Sequence, residues 1–281
     1  MNSLRMSGIA LRSHISDQLK EEVDSFPITP QLTVVLVGNN SASLSYIRKK
    51  EELAKYIGIG FTLLHLPEDI SEEVLLKHIT QLNQDSTVHG FIVQLPLPKH
   101  INTHHILESI APEKDVDGFH PLNVGYMSTY NPKAMLPATP SAIMELLHFY
   151  NIPLEGKHAV IIGRSNLVGK PLAMLLLQAN CTVTICHSKT PDIAALSSQA
   201  DILICATGQP HMITASMVKE QAVCIDVGCT FVEGKVCGDI DPSVFEKTSA
   251  YAPVPGGVGP GTVSMLMKNT ILAYKLQHHA A

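Results

Sequence analysis

The sequence predicts an α/β protein built as two α/β domains flanking a cleft. Three observations predict it. Short apolar runs alternate with helix-forming segments through both halves of the chain. A Pro/Gly-rich stretch of little periodicity, residues 112–140, separates the two alternating blocks. Inside the second block, the run Val160-Ile161-Ile162 stops at Gly163, and a helix-forming segment opens within a few residues. Strands that alternate with helices imply parallel pairing and right-handed crossovers. The loops beyond the carboxyl ends of such strands are where open α/β sheets hold ligands.

Element by element, Gln31–Val37 reads as a buried strand ending at Gly38-Asn39-Asn40. Residues 43–57 carry Leu44, Ile47, Leu53, Ala54 and Ile57 near helical spacing. Residues 61–66 form a second strand, and residues 71–82 a helix with Ser71 as N-cap and Glu72 and Glu73 in its first turn. Residues 90–95 form a third strand, stopped by Pro96 and Pro98. Thr139-Pro140 reads as an N-cap and a first-turn proline opening a helix to about Tyr150. Then come a strand over 158–162, a helix over 168–179, and strands over 182–186, 201–205 and 222–227. The loop Pro253-Val254-Pro255-Gly256-Gly257-Val258-Gly259-Pro260-Gly261 leads into a last helix through Leu276. The predicted domains are residues 1–139, joined by a C-terminal helix over 261–281 that packs back on them, and a Rossmann-like domain over 140–260.

Composition excludes several classes. A chain of 281 residues with 45% apolar and 16% charged side chains is a globular protein with a sizeable core. Twenty basic against twenty-five acidic side chains leave −5, so there is no basic field for nucleic acid. No apolar run approaches the ~20 residues that span a bilayer. Met1-Asn2-Ser3-Leu4-Arg5-Met6 lacks a signal-peptide pattern, and the expected compartment is the cytoplasm. The six cysteines fall between Cys181 and Cys237 with no Cys-x-x-Cys pair, and read as buried reduced thiols. The histidines read as scattered surface residues, so no metal is expected.

The Gly163 loop has the spacing Gly-x-Ser-x-x-x-Gly, which half matches the dinucleotide fingerprint. On this loop alone, an ordinary strand–turn–helix junction fits as well. The end of the following strand weighs in. NAD sites place an acid there to accept the ribose hydroxyls, whereas this chain has Cys186-His187-Ser188-Lys189. A hydroxyl and cationic groups suit the extra phosphate of NADP, and Arg164 adds a planar fork for phosphate oxygens. NADP is therefore the expected cofactor.

In the first block, Tyr46 and Lys50 stand four residues apart on a predicted helix and share a face. In an enclosed site this pair suits proton transfer, and an exposed Tyr–Lys contact on an amphipathic helix has the same spacing. Bringing a lysine from about 10.4 to about 7 takes roughly 4–5 kcal/mol of bias against its charged form. Gln94 ends an apolar strand just before Leu95-Pro96, at the edge where a polar side chain faces ligand. Lys114-Asp115-Val116-Asp117-Gly118-Phe119 puts two carboxylates at alternating positions, and turn capping accounts for either of them.

Five segments taken together carry a resemblance. They are Val37-Gly38…Ser43…Tyr46-x-x-x-Lys50, Val93-Gln94-Leu95-Pro96-Leu97-Pro98, residues 114–121, Gly163-Arg164-Ser165 and residues 253–260. In this order, over residues 5–275 or so, they resemble the bifunctional methylenetetrahydrofolate dehydrogenase/methenyltetrahydrofolate cyclohydrolase family. The resemblance implies that Lys50 is the catalytic lysine, Tyr46 packs on the folate, Gln94 positions the lysine and Asp117 binds the pterin ring. It further implies that Leu95 and the loop Pro255, Gly256 and Gly257 line the folate cleft. Gly163, Arg164, Ser165, Ser188 and Cys229 would contact NADP, Cys229 standing where relatives are usually apolar. Glu51 and Glu52 depart from the family pattern, in which basic residues often follow the lysine; these acids would weaken attraction of a polyglutamate tail and, if near, raise the lysine pKa.

The implied activity is oxidation of 5,10-methylenetetrahydrofolate with NADP+, then hydrolysis to 10-formyltetrahydrofolate, by a homodimer. The first step chiefly needs the reacting carbons held about 3–3.5 Å apart. A dehydrogenase without cyclohydrolase activity, or a non-catalytic folate- or nucleotide-binding regulator, would share the same scaffold.

Overall fold

The computed structural model describes residues 3–278. From the N-terminus the elements are β1 (Leu4–Arg5), α1 (Gly8–Asp24), β2 (Gln31–Val37), α2 (Ser41–Ile57), β3 (Gly60–Leu66), α3 (Glu72–Gln84) and β4 (Gly90–Val93). There follow α4 (Thr103–Glu108), α5 (Pro121–Ser128), α6 (Ala138–Phe149), β5 (His158–Ile162), α7 (Gly169–Gln178) and β6 (Thr182–Cys186). The rest comprises α8 (Ile193–Ser197), β7 (Ile202–Cys205), β8 (Val223–Asp226), β9 (Thr230–Val232), β10 (Lys235–Cys237), β11 (Ala250–Ala252) and α9 (Val258–His278). Two compact units result. One takes in the chain up to Ser13 together with Thr139–Thr262, the other His14–Ala138 and the chain from Val263.

The first unit holds a parallel sheet in the order β1-β11-β8-β7-β5-β6. The chain runs from β5 outward to β6 and then returns to β7 on the other side of β5. That reversal makes a topological switch point between the carboxyl ends of β5 and β7. The register pairs Ile162 with both Cys186 and Cys205, so these three strand ends lie level. Val160, Ile162, Leu203, Cys205 and Cys224 share one buried cluster. Cys181, Cys186, Cys205 and Cys224 are buried and unbonded to one another. Burial pushes the Cys224 thiol up to about 12, so it behaves as a small apolar group. Cys229 is exposed, beside the antiparallel hairpin of β9 and β10.

The second unit holds the parallel sheet β3-β2-β4. β2 is its centre and is buried from Leu32 to Val37, as expected of a strand covered on both faces. Leu75 and Ile79 of α3 pack with Val35, Val37, Phe91 and Val93 in its core. Ser71 caps α3 by accepting the Val74 N–H, and Glu72 and Glu73 occupy the first turn.

Several expectations need correction. The chain up to Ser13 groups with the six-stranded sheet rather than with the residues that follow it. β1 adds to β11, with the Leu4 N–H on Ser249 O and the Met6 N–H on Tyr251 O at 2.9 and 2.8 Å. α6 begins at Ala138, so Thr139 and Pro140 lie inside its first turn. α9 begins at Val258, drawing half of the Pro/Gly loop into helix, where Pro260 costs nothing because first-turn N–H groups have no intrahelical partner. The stretch over 112–140 contains α5, capped by His120 with Pro121 at its start. α9 ends at His278, and the expected helix residues 279–281 lie outside the described residues.

Candidate active site

α2 is set by its two ends. The Asn40 side chain accepts the Ser43 N–H at 3.0 Å, and Gly58 closes the helix in the left-handed conformation at φ +93°. Gly38, φ +79°, turns the chain from β2 into this helix, and His65 Nε2 pairs with its carbonyl at 2.8 Å. The helix delivers Tyr46 and Lys50 one turn apart. Tyr46 is 47% exposed, and its ring has the Lys49 ammonium 5.4 Å from its centroid. Lys50 is half-buried.

Gln94 meets Lys50. β4 ends at Val93, one residue short of Gln94, yet the Gln94 N–H still bonds Val35 O at 2.8 Å and holds the register with β2. Its Nε2 donates to Leu95 O at 2.8 Å, which turns Oε1 toward Lys50 Nζ at 2.9 Å. The amide thus presents an acceptor to the amine. Burial lowers the Lys50 pKa, and the charge of Asp117 pulls it partly back. Glu51 and Glu52 are exposed and take no part in that balance, so the expected upward push from these acids is absent.

The two carboxylates of the 114–119 segment divide their roles. Asp115, 1% exposed, accepts the Gly118 N–H at 3.1 Å, the His120 N–H at 2.8 Å and Asn123 Nδ2 at 2.9 Å. It is the turn cap. Gly118 needs its positive φ of +72°, and a Cβ there would overlap the Met135 carbonyl. Asn269 of α9 donates to Val116 O and Leu136 O, both at 2.8 Å, and ties the segment down from its other side. Asp117 is left to act on Lys50. Burial and the Asp115 charge raise its pKa to about 6, against the pull of Lys50. Asn123 and Asn269 are not among the predicted site residues; buried asparagines bonded to carbonyls leave no local sequence signal.

In the six-stranded unit, Gly163 follows β5 at φ +126°, where a Cβ would overlap Ala206 O. The Ser165 hydroxyl accepts the Val168 N–H at 3.1 Å and Ser165 O accepts the Lys170 N–H at 3.1 Å, closing the loop onto α7. The N-terminus of α7 has no side-chain cap, which leaves its dipole and N–H groups for an anion. Arg164 is exposed and has no partner among the described residues. Ser188 is exposed in the turn after β6, where the His187 N–H bonds Thr190 Oγ1 at 3.0 Å and no carboxylate stands. These features fit a phosphorylated dinucleotide. In the same unit the Gly257 N–H bonds Pro253 O and the Gly8 N–H bonds Gly256 O, at 2.8 and 2.9 Å, so the Pro255, Gly256 and Gly257 loop is braced before α9 begins.

A doubly wound sheet with a phosphate-binding loop at its switch point, and a second α/β unit holding a lysine–amide–carboxylate cluster, define a nucleotide-dependent dehydrogenase with its own proton-transfer site. The chain belongs to the tetrahydrofolate dehydrogenase/cyclohydrolase family. The NAD(P)-binding domain of that family matches residues 137–278 and its catalytic domain residues 6–117. The chain is 52% identical over 262 residues to the bifunctional protein FolD of Exiguobacterium sibiricum, covering 92% of this chain and 94% of that one. Among solved structures, bifunctional FolD from Campylobacter jejuni aligns with a TM-score of 0.95 at 46% identity, over 97% and 99% of the two chains. The Trypanosoma brucei dehydrogenase-cyclohydrolase, complexed with NADP and an inhibitor, aligns with a TM-score of 0.92 at 37% identity, over 98% of each chain.

Proposed function

We propose that Lys50, Gln94 and Asp117 serve the second of two reactions on one folate. The first oxidises 5,10-methylenetetrahydrofolate to the 5,10-methenyl cation with NADP+; the second hydrolyses that cation to 10-formyltetrahydrofolate. The observation that carries the assignment is Lys50 Nζ held at 2.9 Å from Gln94 Oε1 in a site that lowers its pKa. When bound, NADP+ supplies the hydride acceptor. The loop Gly163, Arg164 and Ser165, with Ser188 and Cys229, holds the nucleotide, and the free fork of Arg164 takes its 2′-phosphate. In the hydrolysis, water adds to the cationic bridge carbon, and Lys50 accepts a proton from it and returns one to the ring nitrogen as the C–N bond breaks. Gln94 orients the amine. Asp117 hydrogen-bonds the pterin, Tyr46 packs on it, and Leu95 lines the folate site.

The same reading makes the protein a cytoplasmic homodimer. No helix among the described residues is long and apolar enough to cross a membrane. The unpaired edge of β6 with Ile185, and Phe231 on β9 at 72% exposure, supply apolar surface of the kind that pairs with a second copy. Incubation with 5,10-methylenetetrahydrofolate and NADP+ tests the two activities together. NADPH should form while the methenyl absorbance rises and then decays to 10-formyltetrahydrofolate. Methenyl product that accumulates mole for mole with NADPH would remove the hydrolysis, and absence of NADPH would remove the whole reading.

A further inference from the structure

Two buried carboxylates in the six-stranded unit lie outside the chemistry above. Asp226 ends β8 and Asp239 follows β10, each 1% exposed. They are interlocked. Asp226 accepts the Asp239 and Ile240 N–H groups at 2.9 and 3.0 Å. A Cβ on Gly238 would overlap Asp226, and a Cβ on Gly228 would overlap Asp239. Each carboxylate therefore packs on a glycine one or two residues from the other. Asp239 in turn accepts three hydrogen bonds on Oδ2: the Thr207 N–H at 2.6 Å, the Thr207 hydroxyl at 2.9 Å and the Gly208 N–H at 3.2 Å. Its Oδ1 is buried without a partner among the described residues. Keeping such an oxygen dry costs free energy that an apolar residue would not.

What the three bonds fix is the wall of the switch-point crevice. Ala206 follows β7, its N–H bonds Ile162 O at 2.8 Å, and its carbonyl sits where a Cβ on Gly163 would fall. The loop from Ala206 to Gly208 is thus the β7 side of the crevice whose β5 side is the Gly163 loop. We infer that Asp239, locked by Asp226, is a positioning residue for the nicotinamide nucleotide, acting through the Thr207–Gly208 backbone. This rests on the reading of the unit as the NADP+ site.

Kinetics separate its role from general stability, because hydrolysis of added methenyltetrahydrofolate needs no nucleotide. Asp239→Ala should raise the KM for NADP+ about tenfold or more while cyclohydrolase kcat/KM stays within about twofold. Asp239→Asn, whose carbonyl takes the same three donors, should recover most of the NADP+ affinity. If Asp239→Ala does not fold, Thr207→Val decides, since it deletes the hydroxyl that donates to Asp239 and accepts the Gln209 N–H while keeping the two backbone donors to Asp239; an about threefold rise in NADP+ KM is expected. An unchanged NADP+ KM in a folded variant, or a parallel fall of both activities, would overturn the inference. Wild-type protein inactive with NADP+ would instead overturn the reading beneath it.

Discussion

Lys50 is a half-buried ammonium whose lost hydration makes its proton easier to remove than in water, and Gln94 Oε1 stands ready to hold it in place. Lys50→Met should therefore cut cyclohydrolase activity by about 10²-fold or more while hydride transfer persists, so methenyltetrahydrofolate accumulates in the absorbance assay. Undiminished hydrolysis in that variant would end the assignment. Asp117 has the opposite shift. Its pKa of about 6 in the fold lies above its usual 3.8, so the fold favours the neutral acid. That contribution is full below pH 3.8 and fades as pH rises through about 6. Asp117→Asn, which keeps the neutral form, should match wild type in thermal melts at pH 4 and exceed it by about 2–4 °C at pH 8. An equal gain at both pH values would show that charge is not the cause. The alternation of Asp115 and Asp117 was visible in the sequence, but both carboxylates were equally good turn caps there. The Asp115 carboxylate finds its side-chain partner at Asn123, and the backbone between the two acids is held by Asn269 through Val116 O; no local pattern records either.

Among the elements, β2, β5 and β6 were legible to the residue, because a short run rich in apolar and β-branched residues, bounded by turn residues, leaves little choice of ends. α1 lies outside the elements that the sequence periodicity predicts. Its buried residues Leu11, Ile15, Leu19 and Val23 form one narrow row at a spacing of four, with Ile9 exposed beside it. That row is the signal that would have found it. α5 was hidden inside a Pro/Gly-rich stretch, although His120-Pro121 is a legible start. Two elements carry their own tests. Asn40 anchors the start of the helix that presents Lys50, so Asn40→Ala should cost about 1 kcal/mol in denaturant unfolding, and a change indistinguishable from zero would deny it the capping role. Gly163 sits at φ +126° against Ala206 O, so Gly163→Ala should cost about 1–3 kcal/mol and cripple NADP+ reduction, with hydrolysis of methenyltetrahydrofolate preserved. Loss of both activities together would place the fault elsewhere.

At the scale of the whole molecule, two α/β units were foreseen from the break in periodicity over 112–140, whereas the home of the first thirteen residues was not, since a two-residue strand has no period to read. The proposed homodimer predicts sedimentation at twice the 30.4 kDa chain mass. Phe231→Glu should shift the protein toward one chain mass, and a monomeric wild type at micromolar concentration would refute the pairing. The path of the chain has a consequence for how such a protein is made. β1 waits for β11, with Leu4 opposite Ala250, and the second unit waits for the residues from Val263 onward. Neither unit is a continuous stretch, so no single scission releases either one whole. On the ribosome, both remain unfinished until the last helix emerges. A chain stopped before Ala250 would leave the edge of β8 open and the second unit's core uncovered at once, a substrate for proteolysis rather than a half-active enzyme.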